Sequence, residues 1–325
     1  MKKILAILCA LTLVFALCAC GNSTAPAAST DSATVYNVGV CQLVQHVALD
    51  KATEGFVTAL TDKLGDQVKI NVQNAAGDSA TCATIVGTFV SDEVDLIMAN
   101  ATPALQAAQA ATNSIPIRGT SITEYGVALG LENFDGKTGI NVSGTSDLAP
   151  LDKQAAMFKE LLPDAKNIGI VYCSNEANSK YQVNVVKAEL EKAGLTVTEY
   201  SFADSNDIAQ VVTKACEEVD ALYIPTDNKC ADNAELINSI SEPAKKPIIA
   251  GEEGICKGCG IATLSISYST IGYNTGLMAY EILVNGKNPA EMAIEYDNAP
   301  VYKYVPARCE ALGITPPEGY EAIAD

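Results

Sequence analysis

The chain of 325 residues holds no tryptophan and a single histidine, His46. One imidazole excludes a His-rich metal centre and any mechanism that needs two histidines. Cations are scarce as well: 21 Lys and Arg stand against 39 Asp and Glu, a net charge of -18. So acidic a body repels phosphate backbones and anionic lipid heads, which excludes generic nucleic-acid binding. No GxGxxG or GxxxxGK[ST] phosphate loop occurs, so the chain is not itself an ATPase of that kind. No G-x-S-x-G elbow occurs either, and His46 has no evident nucleophile to activate. No catalytic residue, cofactor or metal site is therefore assigned. Past the N-terminus, no apolar run reaches the roughly eighteen residues that a membrane helix needs.

What is present begins with a leader. Lys2 and Lys3 precede an apolar stretch from Ile4 to Ala16, which reads as a secretory signal over residues 1–19. It ends in Leu17-Cys18-Ala19-Cys20, which resembles the bacterial lipobox. Cleavage before Cys20 would leave a thiol to be acylated, for example with palmitate. Residues 20–34 are small and polar, the composition of a flexible tether. A lipid-anchored cysteine, a tether and a soluble body place the expected site of action on the outer face of a bacterial membrane.

Eight further cysteines follow, at 41, 82, 173, 216, 230, 256, 259 and 309. An even number in an extracytoplasmic chain suggests disulfides. Cys41 and Cys173, however, sit inside apolar strand-like runs, where a thiol serves as a small hydrophobe. Mostly free thiols are expected. Cys256-Lys257-Gly258-Cys259 is the one close pair, too little on its own for a zinc site.

Short β-branched runs recur, each followed by a helical pattern. The first series is Val35–Val40, Val68–Val72, Val94–Met98, Ile115–Arg118 and Ile140–Val142. The second is Ile168–Tyr172, Leu195–Tyr200, Ala221–Ile224, Pro247–Ala250 and Ile261–Ile266. Apolar strands alternating with amphipathic helices predict parallel sheets covered on both faces. Two sets of five predict an α/β protein of two doubly wound lobes joined by a multi-segment hinge. The first lobe is expected over 35–145 plus about 267–295, and the second over 146–266 plus about 296–325. The polar stretch Ser143–Ala149 is read as the first break between them.

In such sheets, ligands bind beyond the carboxyl ends of the strands. The residues found there are short hydroxyls, amides and acids. Hydroxyls and helix N-terminal amides suit a carboxylate, and an acid suits an ammonium group. The set fits a zwitterion. Its expected members are Gln45, Thr102, Thr123, Tyr125, Ser146, Asp147, Asn178, Ser179, Asp227, Asn228 and Tyr268, with Asp227 as the ammonium partner. Each hydroxyl, amide or acid taken alone also reads as a helix N-cap.

Several segments carry a family likeness. They are Ala48-Leu49-Asp50, Gln73-Asn74-Ala75-Ala76-Gly77-Asp78, Ala101-Thr102-Pro103-Ala104-Leu105 and Asn141-Val142-Ser143-Gly144-Thr145-Ser146-Asp147. Leu161-Leu162-Pro163-Asp164 and Tyr223-Ile224-Pro225-Thr226-Asp227-Asn228 continue it, with Tyr268, Gly272 and Gly276 beyond. In order and spacing they resemble the ABC-transporter substrate-binding lipoproteins of the tryptophan/tyrosine-uptake type, from about residue 36 to 317. The resemblance implies a type I periplasmic-binding-protein fold. It also implies capture of an amino acid, aromatic by preference, through hinge closure. Delivery would be to an ABC permease driven by a separate ATPase. One departure stands out: Thr123-Glu124-Tyr125 replaces the family's usual Thr-Asp-Pro. Tyr125 either stacks on an aromatic ligand or covers the lobe surface. A nucleoside, a branched-chain amino acid, another small solute, or a sensing role remain open on the residues alone.

Overall fold

The computed structural model describes residues 34–324, and residues 35 onward form one compact unit. The expected signal segment, the expected lipidation site at Cys20 and the expected tether up to residue 33 lie outside the described residues.

Five strands come from the first part of the chain: β1 (Tyr36–Gln42), β2 (Val68–Asn74), β3 (Leu96–Asn100), β4 (Ile117–Ile122) and β5 (Val142–Ser146). The helices between them are α1 (Val47–Leu64), α2 (Ser79–Ser91), α3 (Thr102–Ala111) and α4 (Tyr125–Leu129). The second series is β6 (Asn167–Cys173), β7 (Thr196–Phe202), β8 (Ala221–Ile224), β9 (Ile248–Ala250) and β10 (Ala262–Ser265). It is interleaved with α5 (Leu151–Leu161), α6 (Ala177–Lys192), α7 (Ile208–Glu218), α8 (Asn228–Asp232), α9 (Ala234–Ser241) and α10 (Glu253–Cys259). The chain ends with α11 (Tyr268–Leu283), β11 (Glu295–Tyr296), β12 (Val301–Tyr304), α12 (Pro306–Leu312) and β13 (Glu321–Ala322).

Two sheets result, ordered β11-β5-β4-β3-β1-β2 and β13-β12-β10-β9-β8-β6-β7. Every pairing is parallel except β10 with β12. Every residue of β3, β4 and β8 is buried, as strands sandwiched between two helical layers must be. In the first lobe, Ile97 and Phe89 pack on one side of the sheet, and Met98, Phe56 and Ala279 on the other. In the second lobe, Leu222, Val212 and Ile237 form one layer, and Tyr223, Phe158 and Val186 the opposite one.

The chain passes between the sheets three times: after β5, after β10, and between β11 and β12. The first passage comes later than the sequence pattern suggests. β5 starts at Val142 and runs through Ser146, into the stretch read as a break. Its hydroxyls can be buried because they have partners: Ser143 donates to Met292 O (3.1 Å) and Thr145 bonds Thr275 (2.8 Å).

Helix α11 returns to the first lobe and lies against α1. Their approach depends on missing side chains. A Cβ on Gly272 would lie 2.7 Å from Ala52 Cα and closer still to its carbonyl oxygen. Gly272→Ala is expected to push the helices apart and cost about 2 kcal/mol, the range of core overpacking. Urea unfolding of the purified variant reads this as a lower midpoint at unchanged slope.

All eight described cysteines are free and buried. No cluster of metal-ligating side chains occurs among the described residues. No helix among them is long and apolar enough to cross a membrane.

Candidate ligand-binding cleft

The carboxyl ends of the two sheets face each other across a cleft. Two of its backbone positions are strained. Ala101, after β3, has φ 86 and ψ 155, and Ser121, near the end of β4, has φ 55. Such conformations cost roughly 1–3 kcal/mol outside glycine and persist where a site needs the backbone aimed. Ala101 is the N-cap of α3 and offers no side-chain cap, and Pro103 has no N–H. The Thr102 and Ala104 amides thus lack intrahelical acceptors and stand at the positive end of a ten-residue helix.

At the end of β5, Asp147 is 4% exposed. Its Oδ2 accepts from the Tyr268 hydroxyl at 3.1 Å. Its Oδ1 is buried with no partner. Burial pushes this carboxyl up to about 6, with the negative charge of Glu252 adding to the effect. Across the cleft, Asn178 donates to Glu176 Oε2 and Thr226 O, both at 3.0 Å, and leaves its own Oδ1 unpartnered. Ser121 Oγ is likewise buried without a partner. These orphan atoms are the groups a polar guest would satisfy.

The other second-lobe groups serve the protein itself. Asp227 caps α8 by accepting from Cys230 N (2.9 Å). Its second oxygen accepts from Cys173 N and Ser179 Oγ, both at 2.7 Å. Three of the roughly four acceptor sites of this buried carboxylate are thus filled from within the protein, one of them by Ser179, which favours a structural role for Asp227 beside the expected ammonium role. Glu176 accepts from the Asn228 and Lys229 amides and the Asn228 side chain. Burial, then the nearby Asp227, pushes its carboxyl up.

Three polar contacts tie the lobes together, and α4 also lies against α6 and α1 against α10. Lys229 Nζ donates to Gly77 O at 3.0 Å, His46 Nε2 meets Asn228 Oδ1 at 3.4 Å, and Lys51 lies 3.8 Å from Glu253. Burial pushes the His46 imidazole down, against the opposing pull of Asn228 and the nearby acids. Beside the Lys229 contact, a cavity of about 200 Å³ separates Val44, Asp78 and Pro103 from Glu176 and Asn228. Another of about 180 Å³ lies near Lys51, Glu252 and Tyr268.

Of the residues expected at the site, Tyr268 lines the smaller of these cavities and Asn228 the other, while Thr102, Thr123, Asp147 and Asn178 are buried at or beyond strand ends and line neither. Gln45 is exposed and lines a groove between the lobes, with Val47 on its own side and Leu236 and Gly254 on the other. Ser146 spends its hydroxyl on Thr123 O (2.9 Å). Tyr125 is neither a stacking platform nor a surface cover. Its ring lies in the first-lobe core and its hydroxyl donates to Thr145 O (3.0 Å). Gly119 and Gly144 make the slot for it; a Cβ on either would come within 2.5 Å of its oxygen. Ser121, Glu176, Lys229 and Glu252 were missing from the expected set. Their signal was position alone, since each stands at or just beyond a strand end.

The raised acids set a pH dependence. Burial moves Asp147 from 3.8 to about 6 and Glu252 from 4.5 to about 7. The folded chain therefore holds more protons than the unfolded one between those values. Stability from these groups is present at the acid end and lost as pH rises through about 6 to 7. Hydrogen bonds from the Asn167 and Lys166 amides lower Asp220, which opposes this only at still lower pH. The melting temperature is expected to rise by several degrees from about pH 7.5 to about pH 5, then to fall below about pH 4. Scanning calorimetry across that range checks it.

Two parallel-sheet lobes, hinged by three passages and facing each other over unsatisfied polar groups, define a two-lobed solute receptor. The chain belongs to the ABC transporter substrate-binding protein family, whose model matches residues 37–323. It is 39% identical over 302 residues to a tyrosine-binding protein of Clostridioides difficile (strain R20291), spanning 90% of this chain and 87% of that one. It resembles the structure of an ABC domain in complex with L-Trp from Streptococcus pneumoniae, with a TM-score of 0.85 at 34% identity over 89% of this chain and 100% of that one. Against the ligand-free, open structure of a substrate-binding protein with adhesive properties from Clostridium difficile, the TM-score is 0.68 at 37% identity, over 89% and 99%. The fold is that of the type I periplasmic binding proteins. The family is one of solute-binding proteins and not an enzyme class.

Proposed function

We propose that this protein captures an aromatic amino acid, tyrosine or tryptophan, between its lobes and passes it to an ABC permease. The observation that carries this is the pairing of opposite chemistries on one wall of the cleft. The uncapped start of α3 favours a carboxylate, and the unpartnered Asp147 Oδ1 favours an ammonium group. β3 and β5 are separated by β4 alone, so the two features stand two strand spacings apart, roughly 10 Å. The Asp147 side chain and Thr123 narrow that gap. Asn178 from α6 closes over the guest with its free carbonyl oxygen. The tyrosine-binding relative and the L-Trp complex support an aromatic side chain.

Closure is the working step. The three cross-lobe contacts, and the better match to the L-Trp complex than to the open structure, support reading this arrangement as the closed one. Closing removes water, so the acid–ammonium and amide–carboxylate contacts strengthen. A ligand that touches both lobes favours the closed form by its differential affinity. Calorimetric titration with tyrosine, tryptophan, leucine and a nucleoside tests the assignment. Aromatic amino acids should bind tightest, and tyramine, which lacks the carboxylate, should bind far more weakly. Preference for the nucleoside would overturn the reading.

The proposal includes extracytoplasmic display through a lipid on Cys20. Labelled palmitate should enter the wild-type protein in cells and not Cys20→Ala. Lys229 serves as a latch. Lys229→Ala removes the bond to Gly77 O, worth about 1 kcal/mol at a half-buried site. Amino-acid affinity should drop about fivefold while the thermal midpoint holds, and small-angle scattering should show a larger radius of gyration.

A further inference from the structure

We infer that the pole of the second lobe farthest from the cleft carries a second binding site, for an amphipathic carboxylate. A cavity of about 720 Å³ opens there. It lies at the amino ends of β9 and β10, since Lys246 precedes the first strand and Ile261 the second. The cleft lies at the carboxyl ends, so the sheet itself separates the two sites. The volume is within the roughly 300–1,000 Å³ typical of small-molecule pockets.

The cavity has a floor and a mouth of different chemistry. Cys259, Ile261 and Ile323 are buried at its base. Lys245, Lys246 and Lys257 stand around it, with Glu242 the one acid among its lining residues. In a chain with 21 basic and 39 acidic residues, three amines against one acid is a local reversal of sign. None of these amines has a carboxylate partner among the described residues. Lys246 Nζ bonds Val219 O (2.6 Å) and Lys257 Nζ bonds Ala324 O (3.0 Å). Each amine keeps further N–H donors to offer. Arg308 is not part of the reserve. It is spent on the Cys256, Lys257, Gly258 and Gly260 carbonyls, and so holds the end of α10 in place as a wall.

An inorganic anion would leave the apolar base unfilled, and a neutral apolar molecule would leave the amines unanswered. An apolar tail with one carboxylate satisfies both. The site owes nothing to the cleft or its ligand, so it stands apart from the proposed amino-acid capture.

Decanoate is the probe, with decanol and decylammonium as controls, titrated into the protein by calorimetry. Decanoate should bind at one site, at least about tenfold tighter than either control. Ala311→Trp places a ring in the cavity from an exposed position on α12 and should abolish binding. Should that variant fail to fold, Lys245→Gln with Lys257→Gln carries the test; decanoate should weaken about tenfold and decanol should not change. Asp147→Asn should leave decanoate binding intact. The inference is overturned if decanoate shows no saturable binding, if decylammonium binds as well, or if neither cavity change weakens it.

Discussion

Asp147→Asn should lower amino-acid affinity about a hundredfold. The substitution keeps size and shape but removes the charge. Removing one partner of a buried, hydrogen-bonded charge pair costs about 2–5 kcal/mol, of which 2.7 corresponds to a hundredfold. Asp147 is 4% exposed, with one oxygen held by Tyr268 and the other free. The variant should be at least as stable as the wild type at neutral pH, because an unpaired buried carboxylate is itself costly. Calorimetric titration with tyrosine and tryptophan reads the affinity, and thermal unfolding reads the stability. Affinity within threefold of wild type would assign the ammonium group elsewhere.

The second large effect separates two roles that the sequence alone runs together. Asp227→Ala should destabilise the fold by about 3 kcal/mol. It deletes the acceptor for two backbone amides and one hydroxyl, from Cys173, Cys230 and Ser179, in a site 1% exposed. Part of that loss is offset, because Glu176 no longer faces a second buried acid. The melting temperature should fall by roughly 5 °C or more. Affinity of the folded fraction for tyrosine should stay within about threefold, since Asp227 is 1% exposed and most of its acceptor capacity is already used within the lobe. The reverse pattern, an intact midpoint with binding down tenfold or more, would restore Asp227 as the ammonium partner.

Residues that meet within one element, or at the end of one strand, were legible from the sequence. Nine of the ten strands of the two main series overlap their apolar runs by at least two residues, most plainly β8 and β9, where every residue is buried and no polar position blurs the pattern. β5 is displaced because its polar face is paid for by Ser143 and Thr145 reaching α11 and its following turn, more than a hundred residues away. The cleft shows the same division. That Thr102, Thr123, Asp147 and Asp227 stand at strand ends follows from local pattern. Which of them is free does not. Ser179 and Asp227 consume each other across 48 residues, and Tyr125 turns inward because Gly119 and Gly144 leave room for it. The free thiols were legible too: Cys41 and Cys173 stand inside apolar runs, and all eight lie in apolar cores, where a thiol fills space as a small side chain.

The three passages between the sheets also constrain the route of the guest. A body joined by one segment swivels freely; one joined by three connecting segments is held to a narrower range of bending. The jaws then part only along the rim away from those segments, where Lys229 reaches Gly77. On the proposed capture mechanism, entry and release would share that rim. A membrane partner that pries the jaws apart would have to grip there, on both sides of the gap at once.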